Sequence, residues 1–215
     1  MTALSPGLKH EREWQAQGLT PIAGLDEAGR GAWAGPVVAA AVILPLERGD
    51  LHSALRGVRD SKLCTPRQRE RLYEVVMEVA AAVSVGQASV REIEAHGIVA
   101  ATRLAMQRAL QALKIRPQAL LIDGAAMHLP AVPLPQRTLT KGEWCSLSIA
   151  AASIIAKVTR DRLLIEAGRA YPEYGFALHK GYGTALHRRT LEALGPCDLH
   201  RRNFAPVRDR LEGGW

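Results

Sequence analysis

An α/β fold around a mixed sheet is what this chain predicts, and three observations carry that expectation. Apolar, β-branched runs interleave with amphipathic helical runs along most of the sequence. The two leading strands, "TPIAGLD" and "PVVAAAVIL", are joined by a short glycine-rich turn, which suits an antiparallel hairpin. The later strands are reached through helices, and such alternation packs as sheet and helix layers around one core. No linker, repeat or low-complexity tract divides the 215 residues. One domain is expected, with an α/β core over 1–170 and a helical C-terminal portion over 171–215.

Each element has its own warrant. "TPIAGLD" is an apolar strand leading into Asp26 and Glu27, and "PVVAAAVIL" is a run suited to a strand buried on both faces. After the loop "RDSK", Thr65 caps a helix with Pro66 at its first position. Leu72, Val75, Val76 and Val79 then recur at helical spacing. "AAVSVGQAS" reads as a third strand. Ser89 and Glu92 form a capping box for a short helix, and "IVAATRLAMQRALQAL" is a second amphipathic one. "QALLIDG" is a strand ending in Asp123. The proline-rich "LPAVPLPQRTLTKGE" is a loop whose short extended piece closes at Glu143. "SLSIAAASIIAKVTRDRLLIEAGRAY" is a long helix with a buried, alanine-packed first half and a charged second half. A loop and one further helix follow, with His187, Arg188 and Arg189 on a solvated face, and the chain ends in an arginine-rich tail.

The formal net charge of +7 favours a polyanionic partner. Cys64, Cys145 and Cys197 are sparse and unpatterned, so no disulfide framework is expected, and the seven histidines show no zinc spacing. The polar lead-in "MTALSPGLKHEREWQAQG" has no apolar signal region, and the longest apolar stretches are too short to span a bilayer. A cytoplasmic protein without membrane association is the expectation.

Adjacent carboxylates at the edge of an apolar core repel each other unless something neutralises them: a basic side chain, a shared proton or a metal ion. Asp26 and Glu27 point to opposite faces of a regular strand, so they share one site only if the pleat breaks, which Gly29 and Gly31 permit. Asp123 and Glu143 also stand at element ends, where open α/β sheets gather ligands. Four convergent carboxylates suit a hard dication, Mg²⁺ or Mn²⁺. Read alone, each acid is also an ordinary cap or turn residue. "GRG", residues 29–31, lets a backbone approach a ligand closely around the guanidinium of Arg30. Lys62 of "RDSK" is a candidate phosphate contact, and Tyr182 beside Lys180 suits packing on a sugar or base.

Together these pieces resemble the ribonuclease HII family. "GLDEAGRGAWAGPV", "RDSKLC", "EIEAHGI", "LLIDG", "TKGE", "SIAAASIIAKVTRDR", "YPEYGF", "HKGYGT" and "HRRNFAPV" follow the family's order through nearly the whole chain. The resemblance implies a ribonuclease H-like fold. It also implies a metal-dependent endonuclease that cuts the RNA strand of RNA–DNA hybrids. Cleavage 5′ of a single ribonucleotide embedded in duplex DNA, leaving 3′-hydroxyl and 5′-phosphate ends, is a further implication. Its catalytic, metal-binding acids fall on Asp26, Glu27, Asp123 and Glu143, the last in "KGE" where the family usually has "KGD". Its ribose reader falls on Gly29, Arg30 and Gly31, its junction reader on Tyr182, and a substrate-phosphate contact on Lys62. Ala32 and Trp33 replace commoner residues beside the site and are expected to be tolerated. The 171–215 portion would bind substrate, the protein would act as a monomer, and the sequence leaves a sliding-clamp contact open.

The chemistry is coherent. Two dications about 3.5–4 Å apart activate a water and stabilise the leaving 3′-oxygen of an in-line displacement. The 2′-hydroxyl separates RNA from DNA at a single position. A non-catalytic nucleic-acid-binding module would leave four acids facing a polyanion unexplained. A small-molecule phosphatase would leave the basic tail without a purpose.

Overall fold

A computed structural model describes residues 6–213, so the first five residues of the polar lead-in lie outside it. Five strands form one mixed sheet: β1 (Ile22–Ala28), β2 (Val37–Ile43), β3 (Ala82–Ala88), β4 (Ala119–Asp123) and β5 (Gln136–Leu139), in the order β3-β2-β1-β4-β5. β1 pairs antiparallel with β2 through a short turn, and β2 pairs antiparallel with β3 after a long connection over residues 44–81. β4 lies parallel to β1 and β5 parallel to β4, each reached by a crossover. β2 is buried at every position, which matches its unbroken apolar run.

The helices cover the sheet: α1 (Lys9–Gln15), α2 (Leu51–Ala54), α3 (Pro66–Val79), α4 (Val90–Ala112), α5 (Leu147–Ala170), α6 (Phe176–His179), α7 (Ala185–Leu194) and α8 (Ala205–Leu211). One buried cluster joins α3 and α5 to one face, through Leu72, Val76, Ile149, Ala152 and Ile155. Another joins α4 to the other face, through Ile93, Ala105, Met106 and Ala109. Capping boxes at Thr65/Gln68 and Ser89/Glu92 start α3 and α4. α4 bends at Gly97, whose φ of 77° is open to glycine at little cost, so it is the expected short helix followed by a longer one. Small residues set the closest approaches. A Cβ on Gly24 of β1 would overlap the backbone of Ser148 and Ile149 in α5.

Three expectations need correction. The polar lead-in contains a helix: α1 buries Trp14 and Glu11. The extended piece meant to close at Glu143 ends at Leu139, and Glu143 lies in a 3-10 turn, Gly142–Trp144. The face given to His187, Arg188 and Arg189 is solvated only at the arginines, because His187 is fully buried. Its ring lies between those of His179 and His200, which pack against Phe176 and Tyr174.

Candidate active site

Register alone brings the first acids together. β1 and β4 are parallel neighbours with Leu25 opposite Ile122, so Asp26 and Asp123 are the next residues on adjacent strands. β4 ends there while β1 runs on to Ala28, leaving Glu27 on an overhang with nothing beside it on the β4 edge. The pleat therefore need not break. β1 stays extended, and Asp26, Glu27 and Asp123 each present a carboxylate oxygen within 4.8 Å of the others. Two ionised carboxylates at that distance repel by roughly 3 kcal/mol at an effective dielectric of about 20.

The site supplies only part of the neutralisation. Burial, then Glu27 and Asp123, hold the Asp26 carboxyl well above its usual range. Burial also raises Glu27, against the opposing pull of Arg30, whose Nη1 lies 3.2 Å from Glu27 Oε1. Asp26 Oδ1 accepts the Glu27 N–H at 2.7 Å, and Asp123 Oδ1 accepts the Gly142 N–H at 2.7 Å. That second bond aims the 3-10 turn at the site. Glu143 is buried beside Asp123, outside the tight trio. Burial and the neighbouring Asp123 push its carboxyl up to about 7.

Oxygen donors of this kind fit a hard divalent cation. Glu27 Oε2 and Glu143 Oε2 are buried and have no hydrogen-bond partner. A proton on some of these acids or a cation between them resolves both the repulsion and the orphaned oxygens.

Lys62 stands at the mouth. Burial lowers its ammonium, but Asp60, Asp26, Glu143 and Asp123 outweigh that and raise it. Its loop is not a solvated one. Asp60 and Ser61 are buried, Asp60 Oδ1 accepts the Lys62 N–H at 2.9 Å, and Trp144 Nε1 donates to Asp60 Oδ2 at 3.3 Å. Gly29, Arg30 and Gly31 follow β1 directly. A Cβ on Gly31 would meet only open space, so a ligand can approach that backbone. Tyr182 lies on a separate turn, half-buried, with Lys157 Nζ and Arg160 Cζ 5.0 and 5.2 Å from its ring centre. It borders a groove of about 390 Å³ lined by Arg69, Lys157, Lys180 and Thr184.

A profile of the ribonuclease HII family matches residues 23–207. The chain belongs to the ribonuclease HII family. It is 54% identical to the ribonuclease HII of Chloroflexus aurantiacus, over 96% of each chain. Among solved structures it resembles the ribonuclease H2 of Pyrococcus horikoshii, with a TM-score of 0.75 and 28% identity. That match covers 90% of this chain and 98% of the other. Bst-RNase HIII, solved in complex with Mn²⁺, shares the fold at a TM-score of 0.69 and 22% identity, covering 93% and 72% of the two chains. The protein is accordingly an endoribonuclease of the type 2 ribonuclease H class, which acts on the RNA of RNA–DNA hybrids.

Several residues of this ribonuclease HII site were not legible beforehand. Ser153 of α5 lies against Asp26 and donates to Ser61 Oγ at 3.0 Å, tying the long helix to the Lys62 loop. Glu11 of α1 accepts from Ser146 Oγ, Ser148 Oγ and Ser148 N at 2.6 to 3.0 Å, anchoring the start of α5 next to Glu143. Serines inside an otherwise apolar helix were the available signal. Arg160 and Arg201 read as surface charges but are completely buried.

Proposed function

We propose that this ribonuclease HII cleaves on the 5′ side of a single ribonucleotide embedded in duplex DNA, as well as within longer hybrids, leaving 3′-hydroxyl and 5′-phosphate ends. The observation that carries this is the convergence of Asp26, Glu27 and Asp123 at the end of two parallel strands, directly before the open Gly31 backbone. Asp26, Glu27, Asp123 and Glu143 are the residues that would hold Mg²⁺ or Mn²⁺. Such cations, when bound, neutralise the crowded carboxylates and the phosphate and make water a competent nucleophile.

The chain's own groups do the rest. The backbone of Gly29–Gly31 faces the ribose and recognises its 2′-hydroxyl, the one group absent from every neighbouring sugar. Arg30 holds Glu27 in place through their 3.2 Å contact. Lys62 meets a substrate phosphate. Tyr182, its ring braced by Lys157 and Arg160, packs against the next sugar and favours one without a 2′-hydroxyl. Residues 171–215 contribute that turn and basic groups lining the groove, so this portion serves substrate binding. The protein is proposed to act as a cytoplasmic monomer.

The test is incubation with a DNA duplex carrying one ribonucleotide, with and without Mg²⁺ or Mn²⁺. Cleavage on the 5′ side, only with cation, is expected, and an intact duplex in both cations would overturn the proposal. In Tyr182→Ala, loss on that duplex should exceed loss on a long hybrid by about tenfold, the size of one stacking contact. Equal slowing on both would remove the junction role.

A further inference from the structure

Two arginines deep in the protein have work that the active-site chemistry does not explain. Arg160 of α5 and Arg201, just before α8, are both fully buried, and neither forms an ion pair among the described residues. Taking a guanidinium out of water without a carboxylate costs several kcal/mol, and an apolar side chain would pack there without that cost. What distinguishes arginine is a rigid fork of five donors. Both forks are turned on backbone carbonyls, four of them in the 30–36 loop and one at Lys180, while Arg201 Nη2 has no partner. Arg160 donates from Nε to Pro36 O, from Nη2 to Ala34 O and from Nη1 to Lys180 O, each at 2.9 Å. Arg201 donates from Nε to Gly35 O and from Nη1 to Arg30 O, also at 2.9 Å.

Two of the five acceptors belong to the turns assigned above to substrate, and the other three, Ala34, Gly35 and Pro36, lie between the first of those turns and β2. Arg30 is in the Gly29–Gly31 turn, and Lys180 is two residues before Tyr182. The turns are also stitched to each other: Trp33 N donates to Gly181 O at 2.8 Å, and Arg201 N to Trp33 O at 2.8 Å. Glycines mark where the parts press together. A Cβ on Gly29, whose φ is 96°, would overlap the Arg160 guanidinium, and one on Gly183 would overlap the Trp33 ring. The Arg201 guanidinium rests on Phe204, its Cζ 5.0 Å from the ring centre.

We infer that Arg160 and Arg201 are specificity-determining positioning residues that lock the 29–36 loop and the 179–182 turn into one rigid reader of a ribose and its following sugar. The inference rests on the reading of Gly29–Gly31 as the ribose contact. Neither arginine touches the reacting atoms. Each acts through the carbonyls it holds, and these orient the amides that face the sugar. A reader built this way discriminates because its geometry is set before substrate arrives.

The test is steady-state kinetics in Mn²⁺ on a duplex with one ribonucleotide, with an uncleavable all-DNA duplex as competitive inhibitor. Arg201→Lys keeps the charge and loses the fork. It should lower kcat/KM on the one-ribonucleotide duplex by about tenfold or more, the equivalent of one well-placed hydrogen bond, while the Ki of the all-DNA duplex is unchanged. Phe204→Leu loosens the guanidinium without removing it. It should give a two- to fivefold loss, roughly that of a cation–π contact, again at constant Ki. This milder variant decides the matter if Arg201→Lys does not fold. Unchanged kcat/KM, or a parallel loss of kcat/KM and Ki, overturns the positioning role. Failure of the wild type to cleave the one-ribonucleotide duplex would instead sink the ribose reading itself.

Discussion

Asp26 shows what a single side chain here must reconcile. It is buried, faces two other acids, and is held well above the usual carboxylate range by burial, Glu27 and Asp123. Replacing it with asparagine keeps the shape and removes one carboxylate charge. Asp26→Asn is expected to cut cleavage by at least about a hundredfold while duplex affinity stays within a few-fold, because binding rests on basic groups elsewhere. Rates and affinity read side by side check this, and parallel loss of both would mean a folding defect. The substitution also relieves repulsion, so the metal-free variant should melt no lower than the wild type. Glu143 carries the same tension, its carboxyl pushed up to about 7 by burial and Asp123 and its Oε2 left without a hydrogen-bond partner.

At the level of elements, the site depends on how closely α5 lies on β1. Gly24 makes that possible, and Gly24→Ala would push a methyl into the Ser148–Ile149 backbone. A loss of about 3 kcal/mol or more is expected, since backbone yields less readily than a side chain. Thermal melts read it directly. The helices after residue 171 have a different weakness, a chain of neutral imidazoles. Cys197 N donates to His200 Nδ1 at 3.0 Å, which leaves His200 Nε2 to donate to His187 Nε2 at 3.0 Å, and His187 Nδ1 to donate to Tyr182 O at 3.0 Å. Burial, with some help from neighbouring histidines, pulls both His187 and His200 down to about 4 from an ordinary 6.5. A folded value below the unfolded one means the unfolded chain binds more protons between those limits. Their stabilising contribution is therefore whole above about pH 6.5 and is lost as pH falls toward 4. The raised carboxyls of Asp26 and Glu143 act with the opposite sign in the metal-free protein. The difference between wild type and His200→Asn isolates the histidine share. Between pH 7 and pH 5 the wild type should lose about 2 kcal/mol more than the variant, and equal slopes would dismiss the relay.

Across the whole molecule, acids gather at one end of the central strands while the chain as a whole carries +7. A polyanion is thus attracted by the surface and admitted to the carboxylates only where their charge is compensated. Duplex affinity should fall steeply with salt, by about a hundredfold or more between 50 and 200 mM if some five phosphates are contacted. It should fall equally for different base sequences, since the proposed contacts are to phosphates and sugars. A shallow salt dependence would mean that the net charge is spread without regard to substrate.

The strands, the Thr65 cap, the Ser89/Glu92 capping box, the buried second strand and the hairpin were legible in the residues because each is a local matter of periodicity and turn chemistry. The order of motifs was enough to name the family, and it pointed to Asp26, Glu27 and Asp123, which the fold brings together. What waited for the tertiary structure was everything set by separate segments meeting. Glu27 shares a site with Asp26 because β4 stops one strand away, which no property of "LDEAG" encodes. Glu11 reads as surface until α5 is laid beside it, and His187 as solvated until two other histidines enclose it. Arg160 and Arg201 look like charges on polar stretches, and only packing shows them buried under the turns they hold. Sequence specifies what a residue is able to do, whereas burial and partners, which arise only when distant segments meet, decide what it does.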